Sequence, residues 1–198
     1  MHASERDTPR VQSERALYRD LSATLDLRRV KFIDESGLNL AMTRLYGRAP
    51  RGERVLGSAP QNYGPNVTIL GALSCAGLEA VMTVEGATDA DVFRAYVREV
   101  LGPTLREGDI VIADNLSAHK AAGVQEVIAA RGARLLYLPP YSPDLNPIEQ
   151  CWSKIKTFLR AAKARTREAF DAAVTQALAT VTVSDARAWF AHSGYVLH

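Results

Sequence analysis

"LPPYSPDLNPIEQCWSKIK", from Leu138 to Lys156, packs four prolines into nine residues and then opens into an amphipathic pattern. Each proline fixes its own φ, so this segment loses little entropy when it orders. Beyond it, Ile148, Trp152, Ile155, Leu159 and Ala162 recur at helical spacing, which predicts a helix over 147–163 with that stripe facing a core. The neighbouring stripe is Glu149, Ser153, Lys156, Arg160 and Lys163. Read locally, Asn146 is an N-cap, Pro147 suits the first helical position, and Glu149 completes an Asn-x-x-Glu capping box. A stiff loop feeding a fixed helix start also implies that something at that start is held in place, and the candidate is Glu149.

Upstream of this loop, apolar runs and turns alternate. "RRVKFIDESGLNLAMTRLY" begins as a buried strand, Val30 to Asp34, and then either turns at Ser36-Gly37 or continues past a bulge. "NVTILGALS" and "LEAVMTV" read as two strands joined at Cys75–Gly77. "TDADVFRAYVREVL" reads as a helix capped by Thr88, with Asp91 at the capping-box position and Phe93, Tyr96, Val97 and Val100 on one face. "GDIVIADN" is a short apolar strand ending at Asp114, as expected of a central strand covered on both sides. A helix over 117–131, the strand "RLLYL", and helices near 147–163, 167–180 and 184–192 complete the pattern. Antiparallel strands followed by alternating strand and helix predict an α/β fold, a mixed sheet flanked by helices. Residues 1–27 are polar and predict a helical extension, with Leu17, Leu21 and Leu25 spaced to dock on a single domain over 28–198.

Bulk composition narrows the field. The chain has 198 residues, 47% of them hydrophobic and 23% charged, enough for one domain with a proper core. No apolar run is long enough to span a membrane, and the charged N-terminus shows no secretory signal. Cys75 and Cys151 make neither a disulfide framework nor a metal knuckle, which points to a reducing cytoplasm. The formal net charge is only +2, but its distribution is uneven. Between Pro147 and Arg167, six cations stand against Glu149 alone. A second group, Arg44, Arg48, Arg51 and Arg54, shares a loop with Tyr46. Such local patches bind phosphate even when the whole chain is near neutral.

Three acids sit where strands or a helix would present them. Ligands of open α/β sheets gather at the carboxyl ends of strands. Asp34 and Asp114 end, or nearly end, two predicted strands, and the helix after "RLLYL" brings Glu149 back towards them. Three converging carboxylates repel unless a cation neutralises them. Oxygen-only ligands select magnesium or manganese, and two such ions ~4 Å apart serve phosphodiester cleavage and joining. Each acid also has a plain structural role open to it. Asp34 and Asp114 suit turns, and Glu149 suits the capping box.

"FIDES", "IADNLSAH" and "YSPDLNPIEQCWSKIK", in that order, resemble the DDE transposases of the mariner-like superfamily, and specifically their bacterial insertion-sequence branch. The 34 residues between Asp114 and Glu149 match the aspartate-aspartate-glutamate form, and the likeness runs over about 28–195. The loop "YGRAPRGERV" also looks like the family's. The resemblance implies a ribonuclease H-like fold, with Asp34, Asp114 and Glu149 as catalytic metal ligands for two Mg2+ or Mn2+ ions. It implies DNA as partner (transposon ends and a target, with TA as the target dinucleotide), a homodimer in the active complex, and a nucleoid-associated place in a bacterial cytoplasm. It also implies an upstream or separate helix-turn-helix portion, for which the 27 residues before the first strand leave no room.

Secondary features follow. Arg44, Arg48, Arg51, Arg54, Lys156, Arg160 and Lys163 are candidate DNA contacts or a solvated basic face. His119 and Asn115 are possible auxiliaries near the acids, and Asp144 fits a turn inside the proline loop. Two other readings stay open beside the transposase: a ribonuclease H-like or junction-resolving nuclease, and a non-catalytic DNA-binding relic. A phosphoacceptor domain would account for Asp34-Glu35 but leaves Glu149 idle.

Overall fold

The protein is described by a computed structural model covering residues 3–61, 64, 66–115 and 123–196. Five strands form one mixed sheet: β1 (Val30–Leu38), β2 (Val67–Ser74), β3 (Gly77–Glu85), β4 (Ile110–Ala113) and β5 (Arg134–Tyr137). Their spatial order is β3-β2-β1-β4-β5, with β1 antiparallel to β2 and parallel to β4. The mixed sheet flanked by helices expected from the apolar pattern is therefore present. β1 neither turns nor bulges at Ser36-Gly37. It stays in continuous register with β2 from Lys31↔Ser74 to Leu38↔Val67. The irregularity falls instead between β2 and β3, at Leu70/Ala72, where Ala80 adopts a left-handed φ of 49°.

Strand alternation sorts the sheet into two faces. Val30, Phe32, Ile69, Leu73, Ile110 and Ile112 face a core shared with α1 (Pro9–Ser22), α4 (Ile148–Ala162), α5 (Arg167–Ala179) and α6 (Val183–His192). Phe32 packs edge-on against Phe190 (centroids 5.3 Å apart, planes at 83°) and lies 5.0 Å from Tyr195. On the other face, Ile33, Leu70 and Val111 meet α2 (Ala90–Tyr96) and α3 (Val124–Ala129). Asp34, one residue after Ile33, thus points to the α4 side.

α4 follows its sequence pattern closely. Ile148, Trp152, Ile155 and Leu159 are buried as expected, and each contributes about 1.5–3 kcal/mol of apolar burial. Cys151 joins them, whereas Ala162, in the last turn, is exposed. α2 is capped not by Thr88 but by Asp89, whose carboxylate accepts from the amides of Asp91 (3.0 Å) and Val92 (2.9 Å). Thr88 Oγ1 is buried without a hydrogen-bond partner. The expected start of the 117–131 helix lies outside the described residues.

The N-terminal helix docks by a different face from the one predicted. Leu17 and Leu21 are 67% and 46% exposed, and only Leu25 packs on the core. The buried residues of α1 are Val11, Arg15 and Tyr18.

Candidate active site

Parallel pairing of β1 with β4 brings two acids level. Ile33 pairs with Ala113, so Asp34 and Asp114 are the next residues along two adjacent parallel strands. Asp34 is the fifth residue of a nine-residue strand rather than its end, but it stands where the parallel ladder stops. The chain leaves β5, runs through the proline loop, and starts α4 with Glu149 in its first turn. A cavity of about 430 Å³ is lined by Asp114, Asn115, Pro139, Tyr141, Asn146 and Glu149, together with Arg10 of α1.

The acids feel one another. Burial drives the Asp34 carboxyl well above the usual carboxylate range, and the charges of Glu149, Asp114 and Glu35 push it further. Its Oδ1 accepts from the Glu35 amide at 2.9 Å, which works weakly the other way. Glu149 is also raised, first by burial and then by Asp114, against the opposing charge of Lys156. Oxygen donors of this kind suit a hard cation. Among the described residues, however, no three His, Cys, Asp or Glu side chains are drawn close enough together to form a metal cluster.

The capping box at α4 does not form. Asn146 adopts φ −110°, ψ 97°, and α4 has no side-chain cap at its start. The Asn146 Nδ2 instead donates to Asp34 Oδ2 at 3.3 Å, across 112 residues of sequence. Its Oδ1 is buried without a hydrogen-bond partner. Nothing in the local pattern could reveal this, because Asn-Pro-x-Glu reads as a cap until the tertiary partner is known. Glu149 is left without the capping role that rivalled a chemical one.

The two basic groups meet on one side of α4. Arg44, Leu45 and Tyr46 of the exposed β1–β2 loop line a hollow with Thr157 and Arg160 of α4. Arg48, Arg51 and Arg54 are exposed further along that loop, and Lys163 is exposed where α4 ends. Three of the six cations counted in the sequence are committed elsewhere. Lys154 pairs with Asp185 at 2.7 Å, Arg167 pairs with Asp171 and Glu85, and Arg165 donates to the carbonyls of Leu40 and Met42. Asn115 lies on the cavity wall, while His119 lies outside the described residues.

Asp144 has a partner that sequence reading missed. It sits in the expected turn, the 3-10 segment Pro143–Leu145, but it also pairs with Arg15 at 2.7 Å and Arg6 at 3.1 Å. Burial works to raise its pKa, but the Arg15 hydrogen bond and the two guanidinium charges outweigh it and hold the carboxyl low.

Residues 29–171 match the family described as DDE superfamily endonuclease. The chain belongs to that family. Among similar proteins, the Tcb2 transposase of Caenorhabditis briggsae is 27% identical over 143 residues, 67% of this chain and 52% of the relative. The Tcb1 transposase of the same nematode is 28% identical over 144 residues, 66% of this chain and 52% of its own length. The chain thus spans about half the length of the nematode transposases it matches. In solved structures, the Mos1 transposase paired-end complex superposes with a TM-score of 0.72 at 15% identity, over 98% of this chain and 65% of that one. The Mos1 mariner catalytic domain alone superposes at 0.61 and 14% identity, over 99% and 98% of the two chains. The fold of this family member is therefore ribonuclease H-like, as the sequence resemblance implied.

Proposed function

We propose that this chain is the catalytic part of a DNA transposase, cutting a strand at the element's end and joining the freed 3′-hydroxyl to target DNA. The observation that carries the reading is that Asp34 and Asp114 follow paired residues on adjacent parallel strands, while Glu149 lines one cavity with Asp114 and its charge acts on Asp34. Family membership and the Tcb relatives support it. Asp34, Asp114 and Glu149 would hold divalent metal, Mg2+ or Mn2+ and two ions by the charge argument. Mos1 complexes have been solved with each of these metals. The metal would supply Lewis-acid activation of water and stabilise the leaving oxygen.

The protein's own residues do the rest. Asp34 is buried, and Asn146 Nδ2 donates to its Oδ2 and so orients the carboxyl. Glu149 presents its carboxylate from a helix start whose dipole favours negative charge. In the first step a water oxygen forms a bond to phosphorus as the 3′-oxygen bond breaks, and that oxygen takes up a proton. In the second, the 3′-hydroxyl oxygen forms a bond to a target phosphorus and loses its proton, while the bond to the target's own 3′-oxygen breaks and that oxygen takes up a proton. Arg44, Arg48, Arg51, Arg54, Lys156, Arg160 and Lys163 would lie along the DNA backbone, with Asn115 and His119 as auxiliaries.

The finer reading is an insertion-sequence transposase with catalytic domain 28–198 and residues 1–27 packed on it. It works as a homodimer with a helix-turn-helix portion, on TA targets and at the bacterial nucleoid. The paired-end and strand-transfer states in which Mos1 has been solved support DNA as partner. No helix among the described residues is long and apolar enough to cross a membrane.

The test is Glu149→Gln and Asp34→Asn in a Mn2+-dependent nicking assay on transposon-end DNA, with the DNA-binding portion supplied in fusion. Both variants should fold and lose cleavage by orders of magnitude. Parental cleavage by Glu149→Gln would refute its role as a ligand.

A further inference from the structure

We infer that Arg15 is a positioning residue for the proline loop and, through that loop, for the acidic site; this rests on the function proposed above. Arg15 lies in α1, ahead of the sheet, and is 1% exposed. Its Nη1 donates to Ser142 Oγ at 2.6 Å and to Asp144 Oδ1 at 3.0 Å, and its Nη2 donates to Asp144 Oδ2 at 2.7 Å. A buried guanidinium is costly unless its donors are filled, and the planar fork matches a carboxylate in two bonds. Arg6 adds a bond to Asp144 Oδ2 at 3.1 Å from outside.

What Arg15 grips is a strained segment. Ser142 Oγ donates onward to the Pro140 carbonyl at 3.0 Å. Between those residues Tyr141 is held at φ 54°, a left-handed conformation rare for an aromatic side chain. Such a backbone persists only where its surroundings over-determine it. Directly after Asp144 come Leu145, whose carbonyl accepts from Tyr195 Oη at 2.6 Å, and Asn146, which reaches Asp34. Glu149 follows three residues later. The loop that sets Asn146 and Glu149 is therefore gripped from α1 and from the chain's C-terminal end.

A merely structural ion pair would lower stability when broken and leave the acidic site's affinity for cations alone. The two roles separate in a Mn2+ titration read by thermal shift, on the parent, Arg15→Gln, Asp144→Asn and the double variant. As a positioning residue, Arg15 acts like an outer-shell partner, whose loss costs about 10–100-fold in metal affinity. Each single variant should raise the half-saturating Mn2+ concentration about tenfold or more. The double variant should be no worse than the poorer single, because both act through one contact. Amide exchange over residues 138–149 should quicken while β1 and β4 keep their protection. If Arg15→Gln fails to fold, Asp144→Asn decides, since asparagine keeps the shape and one acceptor oxygen for the Arg15 guanidinium. An unchanged half-saturation in a folded variant overturns the inference. A parent that shows no Mn2+ shift, or one that Asp34→Asn leaves intact, overturns the functional reading and the inference with it.

Discussion

Gly71→Ala tests how closely α4, and Glu149 with it, is seated on the sheet. Gly71 is the cross-strand partner of Asp34 and shares its face. A Cβ built there lies 3.0 Å from Trp152 Cη2 and 3.2 Å from Leu78 Cδ1. Both are inside the ~3.5–4.0 Å optimum for carbon atoms. Trp152 is 1% exposed, so moving its ring aside disturbs the core around it. Gly71 is not among the residues with left-handed φ, so alanine gains about 0.4–1 kcal/mol by restricting the unfolded chain. Overpacking a tight core costs about 1–3 kcal/mol. The net loss should be about 0.5–2 kcal/mol, or some 2–4 °C in Tm per kcal/mol for a chain of this size. Gly37→Ala is the control: it lies in β1, the strand paired with that of Gly71, and its Cβ meets nothing within 4 Å. That variant should show only the favourable part, about 0.4–1 kcal/mol. Urea unfolding followed by tryptophan fluorescence measures both, and the m-value should not change. If Gly71→Ala proves as stable as Gly37→Ala, α4 is not held against the sheet as described.

Three further outcomes are expected. Asp34 has a raised pKa in the fold, so the native state binds its proton more tightly than the unfolded chain. Metal-free stability should then fall as pH rises from the ordinary aspartate value, about 3.9, to the raised one, and level off above it. Urea unfolding of Asp34→Asn across that window should lack the decline, and parallel curves for parent and variant would sink the argument. Tyr195→Phe should cost about 1–3 kcal/mol in chemical denaturation, because it strands the buried Leu145 carbonyl and the Tyr18 hydroxyl that lies 2.9 Å from Tyr195; a neutral change would show that water replaces the bond. Lys156→Ala and Arg160→Ala should each lower the salt slope of DNA binding by about one without altering sequence preference, and an unchanged slope would assign them to a solvated face.

Much of this was legible in the chain because the relevant forces are local and periodic. The apolar runs of β1, β2 and β4 and the 4-3-4-3 stripe of α4 announce their elements, and the order of strands places Asp34 and Asp114 near each other. The clearest misreading concerns a polar side chain whose partner is far away in sequence. Asn146 looks like a cap because its partner, Asp34, is 112 residues distant. The burial of Arg15 was not foreseen either, because Asp144, which makes it tolerable, is 129 residues distant. Leu17 and Leu21 took the docking face on periodicity alone, since no pattern rule buries an arginine in preference to a leucine. Thr88 and Asp89 are adjacent and both good caps, and only the geometry of the first turn chooses between them.

The left-handed Ala80 has a consequence for the protein's behaviour in a crowded solution. β3 is an outermost strand, nine residues long, and its free side would offer a row of amides and carbonyls to any extended chain. The kink where its pairing with β2 slips breaks that row in the middle, so a second chain could match one half of the rim but not both. The opposite rim, β5, is only four residues long and gives an incoming strand little to hold. A sheet so guarded can stay monodisperse at concentrations where a straight, full-length rim would seed fibrils.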